Sequence, residues 1–193
     1  MVVVIRFFIG EVRWIPSASM HPTLIEGDRI FVERFSRFYT TPKRGDIMVF
    51  YPPNEEIKAD PLSIAQRLIG FGCKDIAYIK RVIGLPGDKF EIKELVDGRF
   101  QVYINDNAIE ENYIMSADDY IPCTNDMYCG PMTIPENNYF MMGDNRGNSQ
   151  DSRFWGFLPE DRFIGKAVFI LWPIKRISVF KQPPYNNLQK QSS

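Results

Sequence analysis

The sequence predicts a mainly β fold. Short stretches rich in β-branched and aromatic residues recur along the chain, such as residues 47–51 (IMVFY), 100–104 (FQVYI) and 167–172 (AVFILW). Glycine, proline, asparagine and aspartate separate these stretches, which is typical of strands joined by turns. Only residues 54–77 have apolar positions spaced as on one face of a helix, so we expect one short surface helix there, inside an insertion.

Runs of apolar and alternating residues locate the individual strands in chain order. The first candidate is residues 11–15, which end at a proline, and the second is residues 29–33, which alternate as a half-buried strand does. A hairpin is expected around Asp97 and Gly98. The remaining strand candidates are residues 47–51, 78–83, 89–93, 99–104, 139–142 and 163–172.

Composition divides the chain into a core and smaller parts. Residues 91–138 combine short strands with polar turns, which suggests a smaller β subdomain inserted between the two parts of a core, residues 11–90 and 139–180. Residues 181–193 form a polar tail with two prolines near its start, and we expect this tail to be disordered.

Residues 1–10 are apolar apart from Arg6. Ten helical residues cover about 15 Å, half of a hydrocarbon core that needs about 20 residues, so this segment does not span a bilayer by itself. It is compatible with the end of a truncated membrane anchor, with a helix lying in the interface, or with a plain strand. It is not a complete secretory signal, because no charged region precedes it and no clear small-x-small site follows.

The overall composition excludes several classes of function. Apolar residues make up 45% of the chain and charged residues 24%, as in an ordinary globular protein. The net charge of -1 provides no basic field for nucleic acid. Three cysteines and one histidine exclude the common zinc patterns, and we expect neither a metal nor another cofactor. Cys123 and Cys129 are compatible with a disulfide or with two free thiols.

Residues 15–24 (IPSASMHPTL) place Ser17 and Ser19 between two prolines, where a regular helix cannot form. A serine on a rigid turn can present both its hydroxyl and its own backbone N–H to a ligand. The alternative is a serine-rich turn that bonds to its own backbone. Taken alone, this stretch favours that alternative.

Residues 78–88 (YIKRVIGLPGD) place Lys80 in a predicted strand among apolar neighbours. Period-two alternation puts Lys80 and Arg81 on opposite faces, so at least one of them is partly buried if the strand is central. Burial disfavours the ammonium form and lowers the pKa of a lysine, which makes its amine usable as a base. The alternative is an edge-strand lysine that reaches water.

Residues 143–153 (GDNRGNSQDSR) combine turn-forming residues with charges that can pair locally. Apolar residues on both sides, 139–142 and 154–157, favour a loop that brings a hydroxyl such as Ser149 or Ser152 into a partly buried site. The alternative is a solvated polar loop. The charged residues of this stretch that can pair are Asp144, Arg146, Asp151 and Arg153.

The single histidine, His21, suggests a serine–histidine–acid triad as a competing arrangement. However, His21 lies two residues after Ser19 and directly before a proline, where its ring turns back onto that hydroxyl only with difficulty. Triad partners normally come from distant segments of a chain. We therefore do not expect His21 to act as the catalytic base.

The three stretches together, in this order and spacing, resemble the signature boxes of bacterial type I signal peptidases. The resemblance extends over residues 8–173 and includes residues 155–159 (WGFLP). It implies a signal-peptidase-like β core with an inserted smaller β subdomain and an N-terminal membrane-helix remnant. The matching boxes are residues 16–20 with 22–24 and 27–28, residues 80–88, and residues 143–153.

The resemblance also implies a set of site residues for a serine endopeptidase that uses a Ser/Lys dyad. Ser19 is then the nucleophile, Lys80 the general base, and Ser17 joins the backbone N–H of Ser19 in an oxyanion hole. Ser149 matches the hydroxyl that orients the lysine. The residues that match braces of the site are Asp144, Arg146, Asp151 and Arg153. The residues that match pockets for small substrate side chains are Ile15, Met20, Leu24, Tyr78 and Ile79.

The same resemblance implies partners and a location. The substrates are the signal peptides of preproteins, cut after a small-x-small site at the lipid surface of a bacterial or organellar membrane. The full-length form carries a single-pass anchor, with the catalytic domain on the extracytoplasmic side and no nucleic-acid or metal partner. Two alternatives are a LexA-type self-cleaving Ser/Lys protease, which needs a DNA-binding domain not visible here, and a non-catalytic membrane-associated β domain that binds peptides.

Overall fold

The computed structural model describes residues 10–36, 39–55, 76–115, 120, 123 and 127–185. Within these ranges the chain forms twelve strands in two sheets, so the prediction of a mainly β fold is confirmed. The expected surface helix within residues 54–77 falls almost entirely outside the described residues. The same is true of residues 1–9 and 186–193.

Within the described residues, turns and one short α-helix connect the strands along the chain. The helix α1 is Ser152–Trp155, and 3₁₀ turns form at Ala18–Met20, Glu160–Arg162 and Ile174–Arg176. The strands are β1 (Gly10–Trp14), β2 (Arg29–Glu33), β3 (Ile47–Phe50), β4 (Tyr78–Gly84), β5 (Lys89–Glu94), β6 (Phe100–Ile104), β7 (Asn107–Ala108), β8 (Met132–Thr133), β9 (Asn138–Met142), β10 (Leu158–Pro159), β11 (Phe163–Trp172) and β12 (Ser178–Val179).

Strand β4 lies in the middle of the larger sheet. Among the described residues this sheet has the order β1-β2-β11-β3-β4-β9-β10, with β12 added beside β11, and all its neighbours pair antiparallel. The register places Lys80 opposite Met48 of β3 and Arg81 opposite Met142 of β9. Because the strand is central, Lys80 and Arg81 are both buried, one on each face.

The smaller sheet, with the order β7-β6-β5-β8, is formed by the chain between β4 and β9. It packs onto those two strands through one apolar cluster, in which the rings of Phe90 and Phe140 stack with centroids 3.9 Å apart. Cys129 lies in the same cluster and forms a disulfide with Cys123. The boundaries that we assign to an inserted subdomain, residues 91–138, stay a prediction.

Each of the eight predicted strands is present, with ends that differ from the prediction by no more than one residue. The two-residue strands β7, β8, β10 and β12 were not predicted, because so short a segment carries no periodicity. Residues 181–185, at the start of the tail that we expect to be disordered, contact the core through Gln182 and Tyr185. No helix within the described ranges has the length and apolar character of a membrane span.

Candidate active site

A short anchored turn carries Ser19. Strand β1 ends before Ile15, whose N–H donates to the carbonyl oxygen of Asp28 at 2.9 Å and whose own carbonyl accepts from Gly27 at 2.9 Å. The 3₁₀ turn at Ala18–Met20 then places Ser19 at the surface of the core, where its side chain is largely buried. The turn is held at both ends, so the position of the Ser19 hydroxyl is set by the backbone.

Lys80 reaches Ser19 from the neighbouring part of the sheet. Its Nζ lies 2.7 Å from the Ser19 Oγ, and the residue is 5% exposed. Burial lowers the pKa of Lys80 from its ordinary 10.5 to about 8, although the negative charges of Asp151 and Asp144 oppose this shift; Arg153 lowers the pKa further. With that pKa about one lysine in ten is neutral at pH 7, against about one in 2,500 for a free lysine.

Residues 143–153 close over the turn that carries Ser19. The N–H of Asn145 donates to the carbonyl oxygen of Ser19 at 3.1 Å, and its side-chain amide donates to the carbonyl of Ala18 at 3.2 Å. Gly143 lies so close that a Cβ there would overlap the Ser19 carbonyl oxygen and the Ser149 hydroxyl. This loop therefore fixes the peptide that carries the nucleophile.

Near the end of that loop, Asp151 and Arg153 form a local, fully buried ion pair. Arg153 donates from Nε and Nη2 to the two carboxylate oxygens, each at 2.9 Å, and the Gly143 N–H donates to Asp151 at 3.0 Å. Asp151 also caps α1 by accepting from the Arg153 N–H. Burial raises the pKa of Asp151, but the charge and hydrogen bonds of Arg153 outweigh it, so the pKa is lowered overall.

The two other charged residues of this loop, Asp144 and Arg146, do not pair with each other. Asp144 accepts instead from Arg81 at 2.6 and 2.8 Å, and Arg146 pairs with Glu111. The strand register explains why Asp144 pairs with Arg81, because it places Arg81 opposite Met142, two residues before Asp144. Sequence reasoning missed both Arg81 and Glu111. The only signal for Arg81 was a second cation in a predicted central strand.

The structure shows no hydrogen bond between Ser149 and Lys80 among the described residues, since the hydrogen bond of Lys80 runs to Ser19. The buried Ser149 hydroxyl lies close to the carboxylate of Asp151 and helps to lower its pKa. The role of Ser149 in orienting the lysine stays a prediction. The competing base His21 turns away from Ser19 and pairs with Glu26 at 2.6 Å on the surface. In the described part of the chain no three histidine, cysteine or acidic side chains group as metal ligands.

A cavity of about 390 Å³ opens beside the Ser19 hydroxyl. Tyr78 and Ile79 line it, as expected, and so does Ser17, whose Oγ lies 3.4 Å from the Ser19 Oγ. The three other expected pocket residues do not line the cavity but lie in the apolar core, and two of them are completely buried. They are Ile15, Met20 and Leu24, and their contact with a substrate stays a prediction.

Known proteins share this sequence over most of its length. The family model described as "Signal peptidase, peptidase S26" matches residues 1–172. A signal peptidase I from Leptolyngbya laminosa is 42% identical over 180 residues, which cover 93% of this chain and 77% of the relative. Thylakoidal processing peptidase 1 of Arabidopsis thaliana is 34% identical over 176 residues, which cover 91% of this chain and 46% of the relative.

A crystal structure of a signal peptidase I from Enterococcus faecalis is also similar in part. It is 28% identical and covers 66% of this chain and 97% of its own, with a TM-score of 0.45, a score too low for an argument about the fold. The family assignment depends instead on the sequence matches, which extend over nearly the whole chain. The chain belongs to the signal peptidase family, peptidase S26.

Proposed function

We propose that the protein is a signal peptidase in which Ser19 attacks the substrate and Lys80 takes its proton. The observation that carries this proposal is the 2.7 Å contact between Lys80 Nζ and Ser19 Oγ in a buried site. Family membership makes the protein a peptidase. The contact supplies the finer assignment, because a base must lie within hydrogen-bond distance of the hydroxyl that it activates.

The reaction begins with Lys80 in its neutral form. The Ser19 hydroxyl then donates its proton to Nζ while Oγ attacks the carbonyl carbon of the scissile bond. The tetrahedral intermediate collapses when the new ammonium of Lys80 gives its proton to the leaving amine, and an ester on Ser19 remains. Neutral Lys80 next takes a proton from water, whose oxygen attacks the ester. The ammonium of Lys80 then returns this proton to the Ser19 Oγ as the C–Oγ bond breaks, which releases the signal peptide with a new carboxyl group and restores both residues.

Negative charge develops on the carbonyl oxygen at each tetrahedral stage. Ser17 is placed to donate to that oxygen together with the Ser19 N–H, because its hydroxyl lines the same cavity 3.4 Å from the nucleophile. One such donor is typically worth about 10²–10³ in rate. The Ser149 hydroxyl is buried close to Asp151, whose charge also acts on Lys80, so we assign to Ser149 the orientation of the lysine during the reaction.

The substrate is the end of a signal peptide with small residues at the first and third positions before the cut. The cavity beside Ser19 is limited by Tyr78 and Ile79, so it favours small side chains. We place the enzyme at a membrane surface, with the catalytic domain on the extracytoplasmic side. Two exposed tryptophans, Trp14 and Trp172, support this location, because tryptophan favours the membrane interface. The strand register places each of them opposite Arg29, so the two lie on either side of the same residue.

A pH–rate profile with a preprotein that carries an Ala-x-Ala site tests the dyad. The rate should rise with pH and level off above about 8, because only the neutral form of Lys80 accepts a proton. Ser19→Ala and Lys80→Ala should abolish cleavage, whereas Ser17→Ala should lose about 10²–10³ in rate. His21→Ala is the matched control and should keep the wild-type rate. Cleavage by either Ser19→Ala or Lys80→Ala at the wild-type rate would overturn the proposal.

A further inference from the structure

Arg146 is a buried cation within residues 143–153, here called the catalytic loop, and its charge is balanced from outside that loop. It is 1% exposed, and its guanidinium donates to both carboxylate oxygens of Glu111, with Nη1 at 2.8 Å from Oε2. Nη1 also donates to the hydroxyl of Tyr120. A buried charge with a fixed bidentate partner is held in one position, because any movement breaks hydrogen bonds that water cannot replace.

Glu111 lies in the long connection between β7 and β8, far from the three signature stretches. Its Oε1 also accepts from the hydroxyl of Tyr113 at 2.9 Å, and that hydroxyl lies 3.1 Å from the hydroxyl of Tyr185. The ring of Tyr113 lies under the Arg81 guanidinium at 4.1 Å, and the N–H of Met115 donates to the Asp144 carbonyl at 3.2 Å. This connection therefore packs along the back of the catalytic loop.

The front of the same loop holds the nucleophile. Arg146 Nε donates to the Gly143 carbonyl at 3.0 Å, and Gly143 is packed against the carbonyl of Ser19. One residue before Arg146, the N–H of Asn145 donates to that same carbonyl of Ser19. A continuous series of short contacts thus leads from Glu111 through Arg146 to the peptide that carries the attacking hydroxyl.

We propose that Glu111 is a positioning residue for cleavage, acting through Arg146 on the loop that holds Ser19. The proposal rests on the proposed function of Ser19 and Lys80. It gives the β7–β8 connection a role in the reaction, although the described residues of this connection contribute no group to the cavity beside Ser19. A displacement of the loop by about 1 Å is enough to cost about 10²-fold in rate.

The first experiment compares Glu111→Gln and Glu111→Asp with the wild type in steady-state cleavage of a preprotein. Glu111→Gln removes the charge, so kcat should fall about 10- to 100-fold while KM changes little, because the substrate cavity is untouched. Glu111→Asp keeps the charge and should recover part of kcat. The matched control is Asp106→Asn, which removes an exposed carboxylate near the same connection and should leave kcat unchanged. Unchanged kcat in folded Glu111→Gln would overturn the proposal.

The second experiment separates positioning from stability. In the double variant Glu111→Met, Arg146→Met the buried pair is replaced by apolar side chains of similar length, so the thermal midpoint should return towards that of the wild type. The positioning role predicts that kcat stays low, because the hydrogen bond to the Gly143 carbonyl is absent. Recovery of kcat together with stability would show that the pair is only structural and would overturn the proposal.

A third measurement does not depend on activity. Hydrogen exchange at the Asn145 amide reports the bond to the Ser19 carbonyl, and exchange at the Val82 amide, bonded to Asp46 in the core, reports global stability. In the double variant, whose stability is restored, Asn145 should lose protection while Val82 keeps it. In Glu111→Gln, Asn145 should lose more protection than Val82, because Val82 reports only the loss of global stability. If Asn145 kept the same protection in all forms, the proposal for Glu111 would be overturned, whatever the activity of the wild type. Failure of the wild type to cleave preproteins would instead overturn the proposed function.

Discussion

Lys80 and Arg81 are adjacent basic residues on the central strand of one sheet, yet they differ in their hydrogen-bond partners and in the direction of their pKa shifts. Both are almost fully buried, at 5% and 2% exposure. Arg81 meets the carboxylate of Asp144 on its face of the sheet, which raises the pKa of its guanidinium despite burial. On the other face the amine of Lys80 donates to the hydroxyl of Ser19 and lies 5.7 Å from the centre of the Tyr78 ring. Burial lowers the pKa of Lys80 to about 8.

The difference shows that the hydrogen-bond partner decides between a structural and a chemical role once both charges are buried. A buried cation with a carboxylate partner stays charged and braces its surroundings. A buried amine that contacts a neutral hydroxyl loses its proton readily and becomes a base. Lysine suits the second role because its amine can be neutral, whereas a guanidinium keeps its charge in proteins.

The largest expected effect comes from making the two cations alike. Lys80→Arg should reduce cleavage by on the order of 10⁴-fold or more, because a guanidinium cannot accept the serine proton. The measurement is kcat/KM with a preprotein substrate. Arg81→Lys is the matched control and should retain measurable cleavage, since it keeps a charge opposite Asp144. If Lys80→Arg cleaved at a rate similar to Arg81→Lys, the contrast between the two positions would be lost.

The next effect concerns stability. Arg81→Met removes the partner of the fully buried Asp144 carboxylate and should lower the free energy of unfolding by about 3–5 kcal/mol. Denaturant unfolding at pH 7 measures the change. The double variant Arg81→Met, Asp144→Leu should recover most of the loss, since no unpaired charge remains. A single variant as stable as the wild type would mean that the Asp144 charge is balanced elsewhere.

Lys80→Met should change stability in the other direction. The folded-state pKa of about 8 lies below the ordinary 10.5, so the charged lysine disfavours the folded state at pH values below 8. Removing it should raise the free energy of unfolding by about 1–3 kcal/mol at pH 7. This advantage should shrink as pH rises from about 8 and disappear above 10.5, where the lysine of the wild type is largely neutral in both states. An advantage independent of pH would point to packing instead of charge.

The smallest effect is expected at a lysine that water reaches. Lys89 in β5 donates to Asp106 at 2.7 Å, but both side chains are largely exposed. Such a pair contributes little because solvent screens it and two flexible side chains must be ordered. Lys89→Met should therefore leave both the unfolding midpoint and kcat/KM unchanged. A large loss in either measurement would show that an exposed lysine can contribute as much as the buried Lys80, so that exposure does not explain the difference between the two.

The strands were predictable because their signal is local. Residues 29–33 and 163–172 show apolar and aromatic patterns within single segments, and the structure forms β2 and β11 at those positions. The two-residue strand β12, by contrast, depends entirely on its pairing with β11. A strand of that length is defined by its neighbour and carries no pattern of its own.

The candidate site also combines features that are local in the sequence with contacts between distant residues. The sequence alone determined that Ser19 lies on a rigid turn, that Lys80 lies in an apolar strand and that Asp151 and Arg153 can pair, because each of these statements concerns residues close in the chain. Only the tertiary structure decided that Asp144 binds Arg81 and that Arg146 binds Glu111. These partners are 63 and 35 residues apart, so strand register and packing bring them together.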